Sequence, residues 1–378
     1  MPHHSNPYSD LPDFCFWRRA VAPLKKETIN PCTRRRFSID SCDNIASAGS
    51  CFAQHISRTL KANGYRYHVT EPGPKSIHAT NEGYGVFPAR FGNIYSVRQL
   101  LQLFKRAYGL FFSLNDVWVR PDGRFVDAFR PRVQSSGFPD EGAVRADRLQ
   151  HLIAVREMFE SCNVFIFTLG LTECWASAFD GAIFPLAPGV AGAPPHVDSV
   201  SFHNSSVAEM TRDLDEFFRL LRTVNPRVKI ILTVSPVPLM ATFESRHVLE
   251  STCYSKSALR VVADEALQKY DFVDYFPSYE IITGVQAGAG YFEDDLREVS
   301  MKGVDRVMDI FKATYLGGGP ETSSPFTPDI HRSISLSASA TQQDGVVEQM
   351  RQLQTIICDE EAIDPSASKH APCKVTGI

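Results

Sequence analysis

Two runs, "NVFIFTLG" (163–170) and "KIILTVS" (229–235), are apolar on both faces rather than at alternate positions. A strand of that kind needs cover on both sides, which is the situation of a central strand in a parallel sheet. Parallel neighbours must be joined by crossovers long enough to hold a helix, and the intervening segments supply them. Residues 144–162 read as a helix leading into the first run. Ser206 and Glu209 form a capping box for a second helix, which stops at Asn225-Pro226. "SKSALRVVADEALQKY" (255–270) is a third, ahead of the strand "FVDYF" (272–276). Upstream, "NIASAG" (44–49) is a short strand, and Phe52, Ile56 and Leu60 recur every four residues in a helix closed by Gly64. A last helix spans 301–316. This alternation predicts an α/β fold, a three-layer α/β/α sandwich around a central, mostly parallel sheet.

Other segments decorate that core. "VRQLLQLFKRAYG" (97–109) reads as an amphipathic helix, and "VWVRPDGRFVDAF" (117–129) as a hairpin turning at Pro121-Asp122-Gly123. Insertions at 65–143 and 176–204 are expected at the carboxyl edge of the sheet. Residues 1–43 form an irregular arm, 44–316 the α/β domain, and 317–378 a polar tail expected to be disordered, with a candidate short helix at 346–362.

Composition narrows the functional classes. The 378 residues are 43% hydrophobic with a net charge of −4, so no nucleic-acid footprint is expected, and Arg34-Arg35-Arg36 reads as a surface patch. Nine cysteines without a C-x-x-C pair argue against a disulfide framework and a zinc site, and they fit a reducing compartment. No signal peptide and no transmembrane run is evident, so a cytoplasmic protein is expected. No nucleotide loop, metal spacing or flavin fingerprint appears, and neither cofactor nor metal is predicted. Oligomeric state is not legible.

In open α/β sheets the site lies outside the carboxyl ends of the strands. The residues expected there are Gly49-Ser50-Cys51, Gly170-Leu171-Thr172-Glu173, Ser235 and "YFEDDLREVS" (291–300). A thiol at the first turn of a helix meets the positive end of the dipole, which favours the thiolate. The bland alternative is a small buried apolar residue. Cys51 is the leading nucleophile and Ser50 the reserve.

"AGSCFAQHISRTL" resembles the signature of the GSCFA family, a branch of the SGNH or GDSL-type hydrolase superfamily. "YGVFPARFGNIYSV" (84–97), "FVDAFRPRVQ" (125–134), "TLGLTECW" (168–175), "TVSPVPLMAT" (233–242), "YSKSALR" (254–260) and "YFPSYEI" (275–281) resemble its later blocks. The resemblance implies that Gly49-Ser50-Cys51 stands for the Gly-Asp-Ser turn, with Cys51 in the nucleophile's place. It puts Gly170 to Glu173 on the Gly-x-Asn-Asp block, with Thr172 where an oxyanion-hole Asn is usual and Asn93 as a further donor. Asp294 and Arg297 fall on the closing Asp-x-x-His block, and here the pattern breaks. Arginine cannot act as a base; Arg297 is expected to pair with Asp294 or Asp295, or to bind an anionic substrate group.

The base is therefore sought among other histidines: His247 and then His203 in loops, and His55 one helical turn beyond Cys51. Glu173 is expected to orient a base or hold its loop, Ser235 to contact ligand. Lys256 and Arg260, one helical turn apart, face either an acidic substrate or solvent. The resemblance implies an esterase or O-acyltransferase acting on an O-acylated carbohydrate or envelope-glycan precursor through a Cys or Ser acyl-enzyme. Its rivals are a catalytically silent glycan- or partner-binding module and an interaction protein recruited through its tail.

Overall fold

The computed structural model describes residues 6–74, 82–316 and 359–364. Four strands make the central sheet: β1 (Ile45–Gly49), β4 (Val164–Leu169), β8 (Lys229–Val234) and β9 (Val273–Phe276), hydrogen-bonded side by side in that order. All three pairings are parallel, with Gly49 opposite Thr168 and Thr168 opposite Thr233. The pleat sends alternate side chains to opposite faces. Phe165, Phe167 and Leu169 of β4 join one core cluster, while Val164 and Ile166 join another.

Helices cover both faces, so the fold has three layers. α3 (Val97–Ala107), α4 (Glu141–Ser161), α5 (Val207–Val224) and α6 (Val248–Lys269) pack on the first face. α2 (Ala53–Ala62), α7 (Ser278–Thr283) and α8 (Met301–Phe311) pack on the second. Burial on both sides explains the unbroken apolar runs of β4 and β8. The N-terminal arm holds a 3-10 turn at Asp13–Cys15 and one α-helical turn, α1 (Trp17–Ala20), and is pinned by buried Phe37 and by buried Ile39, whose N–H donates to the Tyr315 carbonyl.

Two small antiparallel sheets sit outside the core. β2 (Val117–Val119) and β3 (Phe125–Asp127) form the hairpin the turn residues predict. β5 (Glu173–Ser177), β6 (Ile183–Phe184) and β7 (Val200–Asn204) make a three-stranded sheet that the sequence pattern does not announce. Its strands have two to five residues and mixed exposure, so no sustained period of two exists to be read. α6 begins at Val248, two turns before the expected Ser255, because the His247 side chain caps it: Leu249 N–H donates to Nδ1 at 3.1 Å.

Of the tail, only residues 359–364 are described. Asp359–Ala362 forms a short 3-10 turn in which Asp359 and Glu360 are buried. The remainder of the candidate helix, 346–358, lies outside the described residues. Among the described residues no helix is long and apolar enough to cross a membrane.

Candidate active site

Three carboxyl ends of the parallel sheet converge on one small cavity. β1 delivers Ser50 and Cys51, β4 delivers Gly170 and Leu171, and β8 delivers Ser235; Tyr95, Val237, Lys256 and Glu360 complete the wall. Two glycines allow the convergence. Gly49 has φ +148°, and a Cβ there would lie 2.6 Å from Thr168 backbone oxygen, so only glycine fits. A Cβ on Gly170 would press within 3.1 Å of the Tyr95 carbonyl and 3.2 Å of Ser50 Cβ. Gly170 and Leu171 N–H groups both donate to that same Tyr95 carbonyl at 3.0 Å, tying the "FGN" loop to the strand exit.

Cys51 and Ser50 are both buried. Ala53 N–H donates to the Ser50 carbonyl and Gln54 N–H to the Cys51 carbonyl, so the pair forms the turn that opens into α2. The Ser50 hydroxyl has no hydrogen-bond partner among the described residues. A buried hydroxyl left unpaired costs about 1–3 kcal/mol, which a ligand group or water in this cavity would relieve.

Lys256 is the residue whose place the sequence did not settle. It projects from α6, is 1% exposed, and its Nζ donates to the Gly170 carbonyl at 2.7 Å. Burial pushes its ammonium down to about 8, while Glu360 and Cys51 pull it up and Arg297 pushes it further down. A lysine that sheds its proton near neutrality, beside a thiol, is equipped to handle the proton a histidine handles elsewhere. The signal was present in "YSKSALR": Lys256 lies between Ser255 and Ser257, close to the carboxyl-edge loops. Helical spacing alone does not say which face is buried.

Arg297 stands behind that wall rather than in it, and holds a different partner from those expected. Its Nη2 donates to Glu360 Oε2 at 2.6 Å, with both side chains largely buried. Burial raises the Glu360 carboxyl, and Arg297 and Lys256 oppose that rise. Asp294, by contrast, is exposed and does not line the cavity. Asp295 accepts the Arg297 backbone N–H at 2.9 Å, which shapes the loop.

The other expected residues fall outside the cavity lining, with one exception. His247 is exposed, serves as the α6 cap and does not line the Cys51 cavity. His203 pairs with Glu209 at 3.2 Å. His55 is buried against the Phe52 ring, and burial pushes it down to about 4. Thr172 is fully buried, and its N–H donates to Ser255 Oγ at 3.1 Å. Glu173, on β5, accepts from Thr242 Oγ1 at 2.7 Å and from Phe243 N–H at 3.3 Å; it holds that loop rather than a base. The exception is Ser235, which lines the cavity while its Oγ accepts Val237 N–H at 3.3 Å.

Asn93 opens onto a second, larger cleft, lined also by Gln54, Phe91, Phe129, Arg132 and Asp359. Asn93 Nδ2 donates to Asp359 Oδ2 at 2.8 Å, and Gln54 Nε2 donates to Asn93 Oδ1 at 3.4 Å. Behind this cleft stands a buried charge network. Asp127 takes Arg130 at 2.9 Å and Arg148 at 3.0 Å, and Asp147 takes Arg130 at 2.7 Å. Burial alone would raise the Asp127 carboxyl, but the two arginines hold it well below the usual carboxylate range. Asp127 and Arg130 belong to "FVDAFRPRVQ", and Asp147 and Arg148 to α4, so the network ties that block to the helix.

The sheet order and the convergence of three strand ends define an α/β protein with its cleft at the carboxyl edge of a parallel sheet. The chain belongs to the GSCFA family, whose sequence model matches residues 44–311. Among solved structures, it is similar to a carbohydrate esterase family 3 protein from Talaromyces cellulolyticus, at 14% identity. That match covers 58% of this chain and 89% of the other, with a TM-score of 0.26. A mutant acetyl esterase with acetate ion matches at 14% identity over the same shares, with a TM-score of 0.24. Overlap this slight carries no activity across. No curated protein matches the chain.

Proposed function

We propose that the protein is an esterase-type hydrolase in which Cys51 attacks an ester carbonyl. The observation that carries this reading is the shared cavity of Cys51 and Lys256 at three strand ends. Lys256, as the free amine, takes the Cys51 proton while Sγ bonds to the carbonyl carbon. The tetrahedral intermediate then collapses, the C–O bond breaks, and the protonated lysine returns its proton to the departing alkoxide. Water hydrolyses the thioester by the reverse proton path, regenerating thiol and amine. An acceptor hydroxyl in place of water would make the same machinery an O-acyltransferase.

The substrate class that family resemblance favours is an O-acylated carbohydrate or envelope-glycan precursor. Polar lining from Ser50, Tyr95 and Ser235 supports a hydroxyl-rich ligand. A cytoplasmic setting fits the seven described cysteines, each of which is a thiol rather than half of a disulfide. Among the described residues no histidine lines the Cys51 cavity, which favours the second reading, a silent binding module. Release of p-nitrophenol from p-nitrophenyl acetate separates the two. The esterase reading expects Cys51→Ala to lower the rate at least 100-fold. Equal rates in wild type and Cys51→Ala would leave the binding module.

A further inference from the structure

Asp359 and Glu360 are neighbours in the chain, yet each fills a different cavity: Asp359 lines the large cleft beside Asn93, and Glu360 lines the small one beside Cys51. The two cavities therefore meet at this dipeptide. Both carboxylates are buried, and Glu360 reaches Arg297 from 63 residues further along the chain. We propose that Arg297 and Asn93 form a carboxylate-binding subsite of the Cys51 cleft, occupied in the free protein by the chain's own Glu360 and Asp359, and that the substrate is an ester bearing a carboxylate. The proposal rests on the reading of Cys51 as the reacting group.

Charge complementarity favours an anionic occupant. Arg297 and Lys256 lie close enough to repel one another in a largely buried wall, where like charges without an anion are strongly disfavoured. Glu360 supplies an anion here, and an incoming carboxylate would take its place if the segment lifts away. The guanidinium has the planar fork that suits a carboxylate. Asn93 offers an amide N–H to a second acidic oxygen, with Arg132 at 4.0 Å from Asp359 on the rim. Lifting the dipeptide would join the two cavities into one cleft, with Cys51 at the narrow end, the Asn93 amide in its wall and the guanidinium uncovered where Glu360 now sits. The acidic pair thus sits as a tethered mimic of the substrate's acidic group.

The test uses the full chain and two alkylating probes of similar size, anionic iodoacetate and neutral iodoacetamide, with modification of the Cys51 peptide followed by mass spectrometry. In Asp359→Asn/Glu360→Gln, iodoacetate is expected to react at least tenfold faster than in wild type. Iodoacetamide is expected to rise by a much smaller factor, and malonate is expected to protect Cys51. Adding Arg297→Gln should abolish the preference for iodoacetate. The neutral probe reports in every variant whether the site has kept its shape. An equal rise for both probes would reduce the dipeptide to a steric cover and overturn the subsite. No change in either rate would overturn the occupancy. Stronger protection by inorganic phosphate than by malonate would overturn the carboxylate assignment. Anion preference without any acylation by p-nitrophenyl acetate would retain the subsite while removing the esterase reading; acylation without anion preference would do the opposite.

Discussion

At φ +148°, with Thr168 packed where a Cβ would go, Gly49 sets the angle at which β1 releases Ser50 and Cys51 into the cavity. Gly49→Ala is expected to cost at least about 2 kcal/mol in urea unfolding, from backbone strain and the clash with β4. Cys51 itself was legible in sequence because a helix start and a family signature fall on one turn. Lys256 was not, because α6 is apolar on one face and charged on others, and only packing against Gly170 shows which face holds this lysine. Its roles can be separated by charge. Lys256→Arg keeps a cation that cannot deprotonate, so ester hydrolysis should fall at least 100-fold while iodoacetamide still modifies Cys51. In wild type, burial lowers Lys256 from the usual lysine range to about 8. The free amine therefore accumulates as pH rises through that value, and hydrolysis should rise with it. A Lys256→Arg enzyme retaining the wild-type pH profile would remove lysine from the mechanism.

Among the elements, the helix caps show how a local signal can be read two ways. Ser206 and Glu209 make the capping box their spacing announces, with Glu209 N–H donating to Ser206 Oγ and Ser206 N–H to the Glu209 carboxylate. His247 was attractive as a base because it follows β8 on the active edge, but a histidine in that position also caps a helix, and here it does. His247→Ala is expected to lower stability by about 0.5–2 kcal/mol, as cap removal does, and to leave p-nitrophenyl acetate turnover within twofold of wild type. A large loss of turnover with unchanged stability would return His247 to the chemistry. The β5-β6-β7 sheet escaped the sequence because strands this short derive their stability from a surrounding cluster: Trp118 and Phe129, from separate segments, pack on Phe184 of β6.

For the whole molecule, the parallel core was legible since burial on both faces leaves an unmistakable run of apolar residues. The tail's docking was not: Asp359 and Glu360 look like solvated charge until Asn93 and Arg297 are seen beside them. Distant segments also meet at Asp127, which joins the hairpin to α4 through Arg130 and Arg148. Its carboxyl is held below the unfolded value of about 3.9, so its contribution to stability is present above that pH and is lost as pH falls towards the folded value. Asp127→Asn should therefore lower Tm by a constant amount between pH 5 and 8, as breaking a buried pair costs about 3–5 kcal/mol, and the gap to wild type should close below about pH 4. A gap independent of pH down to about 2 would mean that the network is held by packing alone.

The most direct test of the central claim is intact-mass spectrometry after rapid mixing with p-nitrophenyl acetate. One acetyl group should appear per wild-type chain, map to Cys51, and decay at the rate of turnover. It should persist in Ser50→Ala and vanish in Cys51→Ala. An acetyl group carried by Ser50, or none at all during turnover, would contradict a Cys51 acyl-enzyme.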